Sequence, residues 1–294
     1  MDAIGSAPAA GVRRIPLALP GRGRTVVWEA PGPPGAPTLV LLHGVTLTAE
    51  LNWSGVIGTL ARRYRVVALD LRGHGDGLRG RRFRLEDCAD DVAAVAAALG
   101  ITRLVAVGYS MGGLVAQLLW RHHPDLTAGL VLCSTARNVA GSPWERSIAL
   151  TLPGLLAAAT LMPPMHVLRA ELVGSGLLDH DTDPVDRAFA LAQMRRTTLL
   201  DALAAVQAVC AFSSHSWIGG VDIPVAVVLT RDDRVVPARR QLKLARAIPG
   251  ATVVEIDGGH DVFLDAPGRL AGALLTACAA VVGSAAGETA AGAS

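Results

Sequence analysis

The pentapeptide Gly108-Tyr109-Ser110-Met111-Gly112 follows the apolar run Arg103-Leu104-Val105-Ala106-Val107 and opens into Leu114-Val115-Ala116-Gln117-Leu118-Leu119. A short β-branched run that ends in Gly-x-Ser-x-Gly and continues as a helix former reads as strand, sharp turn, helix. A corner that tight needs small residues on both sides of the serine. It lifts the serine oxygen above the sheet and points the first N–H groups of the helix at the same spot. Ser110 is therefore a candidate nucleophile at the carboxyl end of a strand.

Around this corner, strand and helix patterns alternate. Val12 to Pro20 and Arg24 to Ala30, joined at Gly21-Arg22-Gly23, read as an antiparallel hairpin. Thr38 to Leu42, Arg65 to Leu69, Arg103 to Val107 and Leu130 to Ser134 are short Val- and Leu-rich runs without polar alternation, as in strands covered on both faces. Helical patterns span Ala49 to Arg63, Glu86 to Leu99 and Met111 to His122, and the second stops at Gly100. The rhythm pauses from Ala136 to Gly220. It resumes with Ile223 to Thr230, helix Ala238 to Ala247, strand Ala251 to Ile256 and a last helix Asp265 to Val282. Repeated βαβ units predict an α/β fold with a mostly parallel, eight-stranded sheet flanked by helices. Residues 1–135 and 221–294 form its discontinuous core, and 136–220 is an inserted helical cap, since so long a structureless loop is improbable. The tail from Gly283 to Ser294, rich in Ala, Gly, Ser and Thr, is expected to be disordered.

Composition narrows the partners. The formal charge is +2 over 294 residues, with no basic stripe interleaved with aromatics, so nucleic acid is not an expected partner. The short cluster Arg79, Arg81, Arg82 and Arg84 reads as a solvated loop. Four cysteines at 88, 133, 210 and 278 are widely spaced, which suggests neither a zinc site nor a disulfide framework and fits a reducing cytoplasm. Met1 to Val12 lacks the pattern of a secretory signal. Ile148 to Met162, broken by Pro153, is too short for an integral membrane segment. No Gly-x-x-x-x-Gly-Lys and no His-Glu-x-x-His occurs, so no cofactor and no metal is implied. A homodimer stays open.

A serine hydroxyl needs a base within hydrogen-bond reach, most often histidine. Of eight histidines, His122, His123, His166, His180 and His215 fall at helix ends or in the insertion, and His43 and His74 in glycine turns before the serine. His260 follows Gly258-Gly259 in the loop leaving the final strand, where open parallel sheets build their sites. It is the candidate base. The acid that orients the imidazole belongs to the loop Arg231-Asp232-Asp233-Arg234-Val235-Val236-Pro237, where two adjacent aspartates compete.

Together these motifs resemble the α/β-hydrolase fold superfamily over residues of about 12 to 282, in its serine-nucleophile, cap-bearing, esterase- or lactonase-like form. His43-Gly44 resembles its oxyanion loop, Asp70-Leu71-Arg72-Gly73-His74-Gly75 its turn after the fourth strand, Gly108 to Gly112 its nucleophile elbow, and Gly259-His260 its histidine loop. The family's acid loop runs Gly-x-x-Asp-x-x-Val-Pro; here Thr230 stands for the glycine, and counting selects Asp233. The resemblance implies a catalytic triad of Ser110, Asp233 and His260. It also implies an oxyanion hole of the backbone N–H groups of Val45 and Met111, with His43, Arg72 and His74 structural.

The expected function is a serine hydrolase that cleaves carboxylic esters or lactones through an acyl-enzyme. A serine at the elbow, where relatives that open epoxides or displace halides carry aspartate, disfavours those reactions. A C–C bond hydrolase, an enol-lactonase or a cofactor-free peroxidase using the same triad is the alternative, with a non-catalytic receptor third. The Leu- and Met-rich stretch from Leu150 to Leu168 predicts a hydrophobic small-molecule substrate.

Overall fold

The computed structural model describes residues 11–80, 82–139 and 182–291, with the backbone alone beyond Ala285, together with the separate positions Ser147, Thr151, Gly154 and Leu178. Eight strands form one sheet: β1 (Arg13–Leu19), β2 (Gly23–Ala30), β3 (Thr38–Leu42), β4 (Arg65–Leu69), β5 (Leu104–Tyr109), β6 (Thr127–Cys133), β7 (Val225–Thr230) and β8 (Thr252–Ile256). Their spatial order is β1-β2-β4-β3-β5-β6-β7-β8. β2 pairs antiparallel with both neighbours, and every pairing from β4 onward is parallel.

Helices connect the parallel strands, α1 (Ala49–Leu60), α2 (Leu85–Ala98), α3 (Met111–His122), α4 (Pro184–Met194), α5 (Leu199–Ala211) and α6 (Ala238–Ala245), and two more follow the last strand, α7 (Val262–Asp265) and α8 (Pro267–Ala291). Alternate strand residues separate into two cores. Val40, Leu42, Leu104 and Ala106 pack with α2, α3 and α6, whereas Leu39, Leu41, Val105 and Val107 pack with α1 and α8. Burial on both faces explains why these strands read as unbroken apolar runs.

The end of the chain departs from expectation. The last helix was expected over Asp265 to Val282; instead Val262–Asp265 forms a short α7, and Pro267 begins an α8 that continues to Ala291. Proline suits a first helical turn because its missing N–H would have no partner there. The alanines beyond Val282 favour helix over the disorder their composition suggested. Residues Pro267–Ala285 are also long and apolar enough to span a membrane by length and composition, with a mean hydropathy of 1.4. Here that face is a core face: Leu270, Leu274, Ala277, Cys278 and Val281 are buried against the sheet. An added Cβ on Gly129 of β6 would lie 2.2 Å from Val281 Cγ1, so glycine is what lets helix and sheet approach so closely.

Between β6 and β7 the described residues add no strand to the sheet; they include the isolated bridge Asn138–Ser213, the helices α4 and α5 and a 3-10 turn at Ile218–Gly220. Asp183 caps α4 by accepting from Val185 N at 2.8 Å, and Thr198 caps α5 by accepting from Asp201 N at 3.1 Å. A polar latch joins the end of α4 to the core: Thr48 Oγ1 donates to Gln193 Oε1 at 3.0 Å, and Arg196 pairs with Asp76 at 2.6 Å. The apolar stretch from Leu150 to Leu168 lies outside the described residues.

Candidate active site

β5 ends at Tyr109 and α3 begins at Met111, leaving Ser110 alone at the corner with φ 51° and ψ −114°. A side chain at positive φ outside glycine is strained by roughly 1–3 kcal/mol, so the surroundings must hold it there. Ser110 N donates to Cys133 O at 2.9 Å, and Ser110 O accepts from Thr135 Oγ1 at 2.8 Å and from Gly113 N at 2.9 Å. The two flanking glycines have steric reasons. A Cβ on Gly108 would stand 2.3 Å from Gly112 O, and one on Gly112 would stand 2.1 Å from Leu42 O.

The loop leaving β8 brings His260 Nε2 to 3.0 Å from Ser110 Oγ. On the other side of the ring, Nδ1 lies 2.8 Å from Asp233 Oδ2. A carboxylate can only accept, so the network assigns the proton to Nδ1 and leaves Nε2 bare toward the serine. Asp233 is held in place from several sides. Oδ1 accepts from Val235 N at 2.9 Å and Val236 N at 2.7 Å; Oδ2 also accepts from Thr230 Oγ1 at 3.0 Å and Gln241 Nε2 at 3.3 Å. Tyr109 OH donates to His260 O at 2.8 Å and fixes the backbone beneath the ring. Asp232, by contrast, is exposed; it ties the acid loop to the histidine loop through Gly258 N at 3.3 Å.

The loop after β3 closes the other side. A Cβ on Gly44 would lie 3.4 Å from Ser110 Cβ, which places this loop against the serine. Gly44 N donates to Asn52 Oδ1 at 3.0 Å, Thr46 N to His74 Nε2 at 3.1 Å and Leu47 N to Gly44 O at 3.2 Å. Among the described residues Val45 N makes no bond of this kind, and Met111 N, in the first turn of α3, has no acceptor within its own helix. Met111 N is thus next to the serine in the chain, and Val45 N belongs to the loop that Gly44 sets against it.

His43 and His74 hold that loop. His43 Nδ1–H donates to Gly44 O at 2.7 Å while Nε2 accepts from Leu71 N at 2.8 Å; His74 Nδ1–H donates to Arg72 O at 2.9 Å. Arg72 itself forks onto Asp91 at 2.9 and 2.7 Å. Burial pushes His43 from 6.5 down to about 4; burial, with the neighbouring His43 ring second, pushes His74 to about 3. Because both folded values lie below the ordinary one, the unfolded chain takes up these protons first. The stability they contribute is complete above pH 6.5 and is lost as pH falls toward about 4. Denaturant titrations are expected to show a loss of roughly 2 kcal/mol per ring between about pH 7 and about pH 5. A flat stability across that interval would contradict neutral, buried rings.

Sequence reasoning did not find Tyr109, Gln241 or Asn52. Gln241 sits on α6, and only the packing of that helix on β7 brings its amide to the acid loop. No local pattern signals it. Thr230 was visible as a departure at the glycine position, but its bond to Asp233 was not. Among the described residues, no group of three or more His, Cys, Asp or Glu is arranged to hold a metal ion.

Known proteins share this arrangement of elements. The chain is 27% identical to the magnesium-chelatase 30 kDa subunit of Rhodobacter capsulatus, over 83% of this chain and 87% of that protein. It is 26% identical to a pimeloyl-(acyl-carrier protein) methyl ester esterase of Vibrio vulnificus, over 82% and 92%. The crystal structure of a hydrolase from Pseudomonas aeruginosa PA01 superposes with a TM-score of 0.74 at 25% identity, covering 91% of this chain and 98% of that one. The family model for the alpha/beta hydrolase fold matches residues 37–267, from the strand before the Gly44 loop to the start of α8. With that span and this sheet order, the chain belongs to the alpha/beta hydrolase family.

Proposed function

We propose that this hydrolase cleaves carboxylic esters or lactones of small hydrophobic molecules through an acyl-enzyme on Ser110. The observation that carries this reading is the unbroken line from Ser110 Oγ to His260 Nε2 at 3.0 Å and from His260 Nδ1 to Asp233 Oδ2 at 2.8 Å. The esterase name of the Vibrio relative points the same way.

In this reading, His260 Nε2 takes the Ser110 proton as Oγ attacks the carbonyl carbon. The new oxyanion is received by the N–H groups of Val45 and Met111; losing one such donor costs about 3–4 kcal/mol. The imidazolium, held by Asp233, returns its proton to the departing alkoxide, and the ester C–O bond breaks. Water then gives a proton to Nε2, attacks the acyl carbon and releases the acid, and the same proton restores Ser110. The role proposed for the insertion at 136–220 is to shed water from the serine.

The test is a rate profile over aryl esters of increasing acyl length, with intact-mass detection of an acyl adduct. Turnover is expected to rise with acyl length, with the adduct on a Ser110 peptide. Fastest turnover on a dianionic substrate, or an adduct elsewhere, would refute the proposal.

A further inference from the structure

The Gly44 loop holds a conformation that its own sequence disfavours. Leu47 N donates to Gly44 O at 3.2 Å, which makes Gly44 to Leu47 a four-residue turn. Thr46, third in that turn, sits at φ 63°. Left-handed backbone at this place suits glycine or asparagine, and a β-branched residue there is strained. The Thr46 side chain offers no compensation: it is buried, and among the described residues its Oγ1 has no hydrogen-bond partner. Such a conformation persists only where the surroundings impose it. His74 Nε2 supplies one restraint by accepting from Thr46 N at 3.1 Å.

A second restraint reaches the loop from the segment between β6 and β7. Thr48, the N-cap of α1, lies two residues past Thr46. Its Oγ1 accepts from Leu51 N at 3.1 Å and donates to Gln193 Oε1 at 3.0 Å. Gln193 Nε2 donates to Glu50 Oε2 at 3.1 Å, in the first turn of the same helix. Arg196 donates from Nη1 to Gln193 Oε1 at 3.1 Å, and its Nη2 reaches Asp76 Oδ2 at 2.6 Å. Asp76 N donates to Asp70 Oδ2 at 2.7 Å, and Asp70 Oδ1 accepts from Ala49 N at 2.7 Å, beside Thr48. The contacts close into a circuit that runs from Gln193 through Thr48, Ala49, Asp70, Asp76 and Arg196 back to Gln193.

The Arg196–Asp76 pair is partly exposed, with side chains 31% and 37% accessible, so it adds little to the stability of the whole protein. Its consequence lies in what it fixes. The entry of the turn is held by α1 itself, where Asn52 Oδ1 accepts from Gly44 N. The exit, at Thr48 and Ala49, is held by the circuit, and two of the side chains that close it come from the end of α4. Release of Gln193 and Arg196 would free the exit and let Thr46 relax toward negative φ. That would reshape the turn that carries Val45 N.

We propose that Gln193 and Arg196 are positioning residues for the oxyanion loop, so that the segment between β6 and β7 must be docked on α1 for the site to be complete. Neither residue touches the reacting atoms in this account; both act through Thr48. The proposal rests on the acyl-enzyme reading above, which gives the turn its role. A shift of about 1 Å in a group that stabilises the transition state is enough to cost about a hundredfold in rate.

Kinetics and hydrogen exchange on the whole protein test it together. Arg196→Ala and Gln193→Ala are each expected to lower kcat on the best aryl ester by at least about tenfold, with KM changed by less than about threefold. Arg196→Lys, which keeps a charge on Asp76, is expected to recover part of that loss. The N–H groups of Gly44, Thr46 and Leu47 are hydrogen-bonded, so their exchange reports opening of the turn. It is expected to quicken in both alanine variants while the amides of α3 keep their protection. Arg13→Ala, which breaks a 3.0 Å ion pair with Glu29 on β2, is expected to change neither readout. Unchanged kcat, a fall in kcat without faster exchange at the turn, or the same effects in Arg13→Ala would each overturn the proposal. If the natural protein cleaves no ester, the hydrolase reading fails separately. Exchange alone then decides whether Gln193 and Arg196 hold the turn, and unchanged exchange would refute it.

Discussion

Ser110→Ala is expected to remove ester turnover almost completely, by about six orders of magnitude in kcat, while the protein stays folded. The effect is that large because triad members act as a unit. Without Oγ, the base at Nε2 has no proton to take, and only binding and the two backbone donors remain. Folding should survive because the backbone at residue 110 is held by its own groups, with the N–H on Cys133 O and the carbonyl on Thr135 Oγ1 and Gly113 N. Among the described residues the side chain of Ser110 bonds to His260 alone. Alanine also meets the same φ of 51° with no larger side chain. Two measurements decide the matter. A fluorophosphonate should label the natural protein once and the variant not at all, and the variant's unfolding midpoint should stay within a few degrees. Undiminished turnover in a folded Ser110→Ala protein would end the serine mechanism. Absence of labelling in the natural protein would favour a role for the fold without hydrolysis, since fold and activity are separate questions.

The parts of this molecule that were readable in advance are those written locally. The corner at Ser110 was legible because its constraint is steric and short-range: Gly108 and Gly112 each sit where a Cβ would strike backbone within a few ångströms. The strands were legible because burial on both faces removes polar residues, so Thr38–Leu42 and Arg65–Leu69 appear with their observed bounds. The structure puts His260 between Ser110 and Asp233, in reach of each; the loops after β5 and β8 pointed to the first two, while the choice of Asp233 over Asp232 came from the family resemblance. Gln241 and Tyr109 were not legible, because their contacts join segments 8 and 151 residues apart through packing. The start of α8 was missed for a different reason. Periodic apolar residues continue through Ala266, and only the backbone break before Pro267 separates α7 from α8.

The two adjacent aspartates give the sharpest test of how the site works. Asp233→Asn is expected to lower kcat by about ten-thousandfold. The hydrogen bonds say why an almost isosteric change should matter so much. Val235 N and Val236 N both donate to Oδ1, so the amide oxygen of an asparagine must take that position and its NH₂ must take the place of Oδ2. That NH₂ then faces His260 Nδ1, which in the natural protein is itself a donor. Two donors cannot share the contact, so the proton moves to Nε2 and Nδ1 accepts instead. Nε2 now presents N–H to Ser110 Oγ and is no longer a base. Asp232→Asn should behave otherwise. Its side chain is exposed, and the bond it accepts from Gly258 N at 3.3 Å can be kept by an amide oxygen. A loss of less than about tenfold is expected there. Steady-state kinetics of both variants on the best aryl ester would decide: if Asp232→Asn proved the more damaging, the imidazole would be oriented by a different carboxylate from the one the geometry favours.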